Sequence, residues 1–395
     1  MLHDCVQSLK LLKAASHDCI SNEHIIYGSS CLKVHVCLML NAMLKHFFVP
    51  SDFRLKDIHG DITSTDLYSA ITLTPVMSKL FESVLLTLYG EFLTSDYLQY
   101  GFKKGSGCAH AVFTFTESVK YFVRRGRKVH CAFLDASKAF DKVLLNGLFL
   151  KLLKRDVPLP FIRIMINWYS GLQCAVIWNN IVGDRFNIAC GVRQSGVLSP
   201  YLFSIYIDDL ITDLRQSGYG IYVGSLFAGC ILYADDIVLL SGSFHGLQKM
   251  LDICSQYGVQ FDIRFNPLKS QTSTFGGRHP SHIPLKLNGS VIPATEKVKY
   301  LGVYINSLTN CFDPSVAIRK FFNNILSVVG HSRDETVAVH LVKTSCLPIL
   351  LYGCEAWSLS SSDMHKLNVA WNNCFRRIFN ACWRESFQTV IVLLQ

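Results

Sequence analysis

Two neighbouring carboxylates, Asp235 and Asp236, stand between apolar runs, Cys230-Ile231-Leu232 before them and Ile237-Val238-Leu239-Leu240 after. Strand-prone residues on both sides of a polar pair predict a hairpin that presents its carboxylates at the turn. Like charges so close repel, and a divalent cation resolves the repulsion. A further Asp at the end of a separate strand would complete a site for two metal ions, which clamps the attacking and leaving oxygens of a phosphoryl transfer. Asp135 answers that description, because it ends the apolar run Val129 to Leu134. Its other reading is a cap on the helix that follows, and the hairpin weighs against it. A second Tyr-x-Asp-Asp, Tyr206-Ile207-Asp208-Asp209, is expected to be a decoy. It lies in a helical pattern whose stripe of Leu202, Phe203, Tyr206, Ile207, Leu210, Ile211 and Leu214 leaves both acids on the solvated side.

These acids need elements to hold them. Pro75 is expected to open a helix with Val76, Leu80, Phe81, Val84, Leu85 and Leu88 on its apolar face. Gly101, Gly105 and Gly107 punctuate a basic loop (Lys103, Lys104) before a second helix near 109–122. Helices follow the Asp135 strand over 140–153 and 159–168, then strands near 174–178 and 186–190. A loop from Gly191 to Gly196 precedes Ser199-Pro200, an N-cap and first-turn pair. Beyond the hairpin come a helix over 244–257, strands near 298–305, and a helical C-terminal stretch. There Asp313-Pro314 opens one helix and Asp363 caps another. Residues 1–50 have helical periodicity and no nameable chemistry. No repeat or low-complexity tract interrupts the chain.

The composition narrows the class. Of 395 residues, 50% are hydrophobic and 17% charged, which excludes a disordered chain. The net charge of +9 favours a polyanionic partner, although basic surfaces also bind membranes. Fifteen cysteines without any CxxC spacing do not read as a zinc ribbon, knuckle or redox pair. Most are expected to be small buried hydrophobes in a reducing compartment. No charged n-region with an apolar h-region begins the chain, and no apolar run is judged to approach membrane-spanning length. A soluble intracellular protein of the cytoplasm or nucleus, without a membrane partner, is expected.

Over roughly 51–385 the chain resembles the reverse transcriptases of non-LTR (LINE-type) retrotransposons. Tyr68-Ser69-Ala70-Ile71-Thr72-Leu73 with Lys79-Leu80-Phe81-Glu82, and Tyr100-Gly101-Phe102-Lys103-Lys104-Gly105, look like its fingers blocks. Phe133-Leu134-Asp135 through Ala139-Phe140-Asp141 resembles the first catalytic palm block. Gly191-Val192-Arg193-Gln194-Ser195-Gly196-Val197-Leu198-Ser199-Pro200 resembles the block that positions template and nucleotide. Tyr233-Ala234-Asp235-Asp236 is similar to the signature hairpin, and Asn266-Pro267-Leu268-Lys269-Ser270 and Tyr300-Leu301-Gly302-Val303 to two later palm blocks. Several ordered blocks make this far more specific than one motif.

The resemblance implies an α+β right-hand polymerase: fingers, a palm with an antiparallel sheet, and a helical thumb. The expected division is an N-terminal helical segment at 1–50, fingers at 51–128, a palm at 129–305 with a fingers insertion near 141–190, and a thumb at 306–395. The implied activity is RNA-directed DNA polymerisation, extending a primer 3′-hydroxyl with dNTPs on an RNA template. Asp135, Asp235 and Asp236 would bind two Mg²⁺ ions, with Mn²⁺ a substitute. Phe140 would be the steric gate under the sugar, or else an ordinary core aromatic. Arg193 and Gln194 would contact nucleotide and template, Tyr233 would line the nucleotide site, and Lys269 would protonate pyrophosphate. Arg376 and Arg377 fit contacts to a duplex backbone and equally fit a helix C-terminus.

The chain departs from the family at several points. Ser69 stands where an Arg would grip the triphosphate, and Lys103 is expected to substitute in part. Ser195 stands where glycine is usual. A strand after Phe53-Arg54 is expected to be missing. Too few residues precede the fingers blocks for the usual endonuclease, so a truncated copy is expected, with endonuclease function from another domain or chain. The competing reading is a decayed relic that keeps the fold and at most binds RNA. A palm-based nuclease or cyclase would not need the 191–200 block.

Overall fold

From Val129 to Leu134 nothing resists extended pairing, and the strand Val129–Asp135 forms with every residue but the last buried. The structure is a computed structural model describing all residues except 17, 60–70, 137–138, 179–180, 278–282, 332–333, 357–358 and 383–395. It contains helices and mostly antiparallel sheets, the α+β class expected. The chain divides into two compact units that interleave along the sequence. One holds Met1–Lys103, Asp135–Gly218 and Leu251–Asn266. The other holds Lys104–Leu134, Tyr219–Met250 and Pro267–Gln395.

In the first unit, a sheet runs in the order Ile71–Leu73, Leu55–His59, Gln173–Trp178, Ile181–Val182, with Phe186–Asn187 also on Gln173–Trp178. Leu55–His59 pairs antiparallel with Ile71–Leu73 and parallel with Gln173–Trp178. The stretch after Phe53-Arg54, expected to lack a strand, thus forms one with a neighbour on each side and no exposed edge. The helices Val76–Tyr89, Leu159–Tyr169 and Ser199–Gln216 bury Phe81, Trp168, Phe203 and Tyr206 completely or nearly so. Trp168 lies 5.4 Å from Phe81 between ring centroids, and its indole N–H donates to the Phe53 carbonyl at 3.2 Å.

The second unit is built on a four-stranded sheet in the order Gln271–Phe275, Val129–Asp135, Asp236–Ser241, Cys230–Tyr233. Helix Cys108–Val123 supplies Phe115, whose ring meets Phe133 and Phe275 edge-on at 5.6 Å and Tyr300 at 5.8 Å. Asn288 and Gly289 turn the Lys286–Leu287/Ser290–Val291 hairpin with φ of 51° and 78°, as an Asn-Gly turn should. The C-terminal helices Ser315–His331, Glu335–Leu341 and Ser361–Ile378 close on Phe321, Ile325, Val342, Cys374 and Phe375.

Some local expectations are corrected. Ser360, not Asp363, caps the last helix: its hydroxyl accepts the Asp363 N–H at 3.1 Å. The Ser199 hydroxyl donates to the Arg193 carbonyl instead of capping its helix. Fewer than half the cysteines are buried; Cys19, Cys31, Cys37, Cys311 and Cys382 are exposed. Among the described residues Glu335–Ala356 is long and apolar enough to cross a membrane, contrary to the expectation that no run approached that length. Its Ala338, Val339, Val342, Cys346 and Leu350 are buried in the C-terminal helical core, and 33% of the apolar stretch is buried in all.

Candidate active site

In the second unit the predicted hairpin forms. Tyr233 and Asp236 face each other across a two-residue turn of Ala234 and Asp235. Two-residue turns that match strand twist need positive φ, and Ala234 supplies it at +55°. Ala234 is buried, Asp235 half-buried and Asp236 exposed, so the turn offers carboxylates over an apolar base. A hydrogen bond with the Cys108 thiol, reinforced by burial, pushes the Tyr233 phenol up to about 12. Cys108 is the first residue of helix Cys108–Val123, which therefore abuts the hairpin. Lys269 is exposed, next to buried Ser270.

In the first unit, Asp135 is half-buried and its carbonyl accepts the Asn266 N–H at 2.9 Å. Phe140 rides on a 3₁₀ turn, Ala139–Lys142. Its ring stacks on Phe203 at 4.2 Å and 19° and meets Phe102 edge-on at 6.0 Å. That turn is tied to the glycine loop. Gly191 N–H donates to the Val143 carbonyl at 2.8 Å, Val192 N–H to the Phe140 carbonyl at 2.9 Å, and the Gln194 amide to the Asp141 carboxylate at 2.6 Å. The structure thus brings Phe140 and Gln194 into one assembly.

Arg193 is a correction. Expected to reach nucleotide and template, it is 1% exposed, its guanidinium bound to Glu82 at 2.6 Å and the Ser78 hydroxyl at 2.6 Å. Its Cζ also lies 4.5 Å from the centre of the Trp168 ring. A guanidinium so enclosed has no face left for a ligand. Lys103 is engaged as well: its ammonium donates to the Asp96 carbonyl at 2.8 Å and the Ser95 carbonyl at 3.2 Å. Ser69, for which it was expected to compensate, lies outside the described residues.

The decoy is also not a solvated face. Asp208 is buried, ion-paired with Arg155 at 2.6 Å and accepting the Asp96 N–H at 2.8 Å. Asp209 pairs with Lys151 at 2.8 Å, and the buried ammonium also meets the Tyr257 hydroxyl at 2.6 Å. Arg155, just past helix Leu145–Lys154, covers Asp208, while Asp209 keeps 45% of its side chain exposed.

Glu82 ends the fingers block Lys79-Leu80-Phe81-Glu82, where the resemblance attaches no role to it. The available signal was Ser78 and Glu82, one helical turn apart on the helix Val76–Tyr89, both buried. A carboxylate in such a place needs a cation or several N–H donors.

Residues 64–305 match the reverse transcriptase (RNA-dependent DNA polymerase) family. The chain belongs to this family and, with its relatives, to the non-LTR retrotransposon reverse transcriptases. It is 24% identical over 412 aligned residues to a probable RNA-directed DNA polymerase from transposon BS of Drosophila melanogaster, covering 95% of this chain and 44% of that protein. To the RNA-directed DNA polymerase from mobile element jockey of the same species it is 26% identical, covering 96% and 43% respectively. The chain therefore spans less than half the length of these relatives. Apo telomerase from Candida tropicalis shares the fold, with a TM-score of 0.51 and 12% identity over 93% of this chain and 74% of that one.

Proposed function

We propose that the chain performs RNA-templated DNA synthesis, adding deoxynucleotides to a primer 3′-hydroxyl and releasing pyrophosphate. The observation that carries this reading is the Tyr233–Asp236 hairpin, with adjacent acids at a tight turn in a sheet that also contains the strand ending at Asp135. Asp135, Asp235 and Asp236 would hold two Mg²⁺ ions. Carboxylate oxygens are the hard donors that Mg²⁺ and Mn²⁺ take. Among the described residues no three His, Cys, Asp or Glu side chains form a ready metal cage. When bound, such ions supply positive charge for an in-line displacement at phosphorus.

The chain's own groups do the rest. Phe140, held by Phe203 and Phe102, excludes a 2′-hydroxyl and so selects deoxynucleotides. Gln194, fixed by Asp141, orients the incoming nucleotide. Tyr233 packs beside the acids, and exposed Lys269 donates a proton to the leaving pyrophosphate. The excess of basic residues favours RNA template and DNA primer as partners. Fifteen cysteines with no CxxC spacing, in a chain too large to be a small disulfide scaffold, suit a reducing interior of the cell.

A non-catalytic relic that binds RNA draws on a specific observation: Lys103 and Arg193, two cations assigned to substrate, are engaged internally. Primer extension on poly(rA)/oligo(dT) with dTTP and Mg²⁺, run beside Asp235→Ala, decides between them. Incorporation by the native chain alone supports the polymerase. No incorporation by folded native chain removes it.

A further inference from the structure

The loop that carries Gln194 is gripped at both ends by one buried carboxylate. Glu82 is 2% exposed; its Oε1 accepts the Arg193 guanidinium at 2.6 Å, and its Oε2 accepts the Leu198 backbone N–H at 3.0 Å. Between these anchors run Gln194, Ser195, Gly196 and Val197. Gly196 N–H donates to the Arg193 carbonyl at 3.1 Å, and the Ser199 hydroxyl donates to the same carbonyl. A Cβ on Gly196 would come within 3.0 Å of Glu82 Oε2, so the loop backbone lies directly on the carboxylate. Every group here belongs to the first compact unit.

We infer that Glu82 is a positioning residue for the nucleotide site: its carboxylate sets the shape of the 193–198 loop and hence the placement of Gln194. Arg193 is the cation that lets that carboxylate remain buried. A buried carboxylate is costly alone, and a buried guanidinium equally so, but together with Ser78 and Leu198 N–H most of their charge-assisted bonds are made. Trp168 closes the remaining side of the guanidinium. The grip continues to the sugar side of the site, because Val192, next to Arg193, donates to the Phe140 carbonyl. A displacement of the loop would reach both nucleotide orientation and sugar selection. Small displacements of positioning groups cost rate or affinity by one to two orders of magnitude.

This inference rests on the polymerase reading, and its test separates the two. Glu82→Gln keeps the size and removes the charge. Glu82→Gln with Arg193→Met removes both charges, so no lone ion stays buried and folding is preserved if the single variant fails. In primer extension, both variants are expected to raise KM for dTTP about tenfold with kcat within about twofold of the native chain, and to discriminate less against rUTP. The double variant is expected to regain thermal stability without regaining KM. That split is one a merely structural role would not produce. Backbone hydrogen exchange at 194–198 is expected to quicken about tenfold in each variant. A native KM and sugar preference in either folded variant overturns the inference, as does a loss confined to kcat. Should the native chain extend no primer, the polymerase reading falls, and exchange alone judges the grip: unchanged exchange at Leu198 overturns it, and faster exchange upholds it.

Discussion

Gly191 and Asp141 meet backbone to backbone: a Cβ placed on Gly191 would lie 2.8 Å from the Asp141 carbonyl oxygen and 2.9 Å from its Cα. Gly191 also has φ of +89°, which L side chains rarely adopt. Phe140 and Gln194, far apart in sequence, stand on the two sides of this contact.

Gly191→Ala is therefore expected to cost about 2 kcal/mol or more, from left-handed strain and from separation of the loop and turn. Denaturant unfolding measures the loss. A variant as stable as the native chain would show that the two backbones move apart freely.

Ser195 has φ of +63° and is exposed. An L residue is strained there by about 1–2 kcal/mol, while glycine gives up part of that gain through unfolded-chain entropy. Ser195→Gly should stabilise the chain by about 0.5 kcal/mol, read as a higher denaturant midpoint at constant slope. A lower midpoint would mean that the serine side chain makes a bond worth more than the strain.

Phe140→Val removes the ring stacked on Phe203 at 4.2 Å and leaves a branched stub. Discrimination of dTTP over rUTP is expected to fall by about 10- to 100-fold in steady-state primer extension. Unchanged discrimination would return Phe140 to the role of a core aromatic.

Asp313 gives a pH dependence whose sign follows from its partners. Burial pushes its carboxyl up, but the Lys297 ammonium at 2.7 Å and the hydroxyl and N–H of Ser315 outweigh that and hold it below the ordinary carboxylate range. A carboxyl lowered by folding stabilises the folded state above its unfolded value, and the benefit is lost as pH falls through the folded value. The stability difference between the native chain and Asp313→Asn should thus be full at pH 6 and shrink as pH falls below about 4. Parallel unfolding curves for the two from pH 6 to pH 2 would refute this.

Much of the local structure around the candidate residues could be read in one dimension, and the reasons are local. Alternating strand-prone residues around Asp235-Asp236 leave the chain little besides a hairpin, and the two-residue turn follows from the spacing. The Asn288-Gly289 hairpin went unread, although an Asn-Gly pair is a local turn signal whose φ values those residues tolerate. The strand Leu55–His59 was missed because its partners are at 71–73 and 173–178, and such pairing leaves no local trace.

The same division holds for charge. By itself the sequence determined which residues are candidates: the acids, Phe140, Gln194 and the glycines whose backbone conformations need no Cβ. Only the tertiary structure decided which charges face inward. Asp208 looked solvated because periodicity describes one helix alone, yet Arg155 and the Asp96 backbone cover it. Arg193 looked like a ligand contact because its block is polar, yet Glu82, more than a hundred residues earlier, encloses it. Burial of an ion depends on a partner within a few ångströms, and the chain brings such partners together only when it folds.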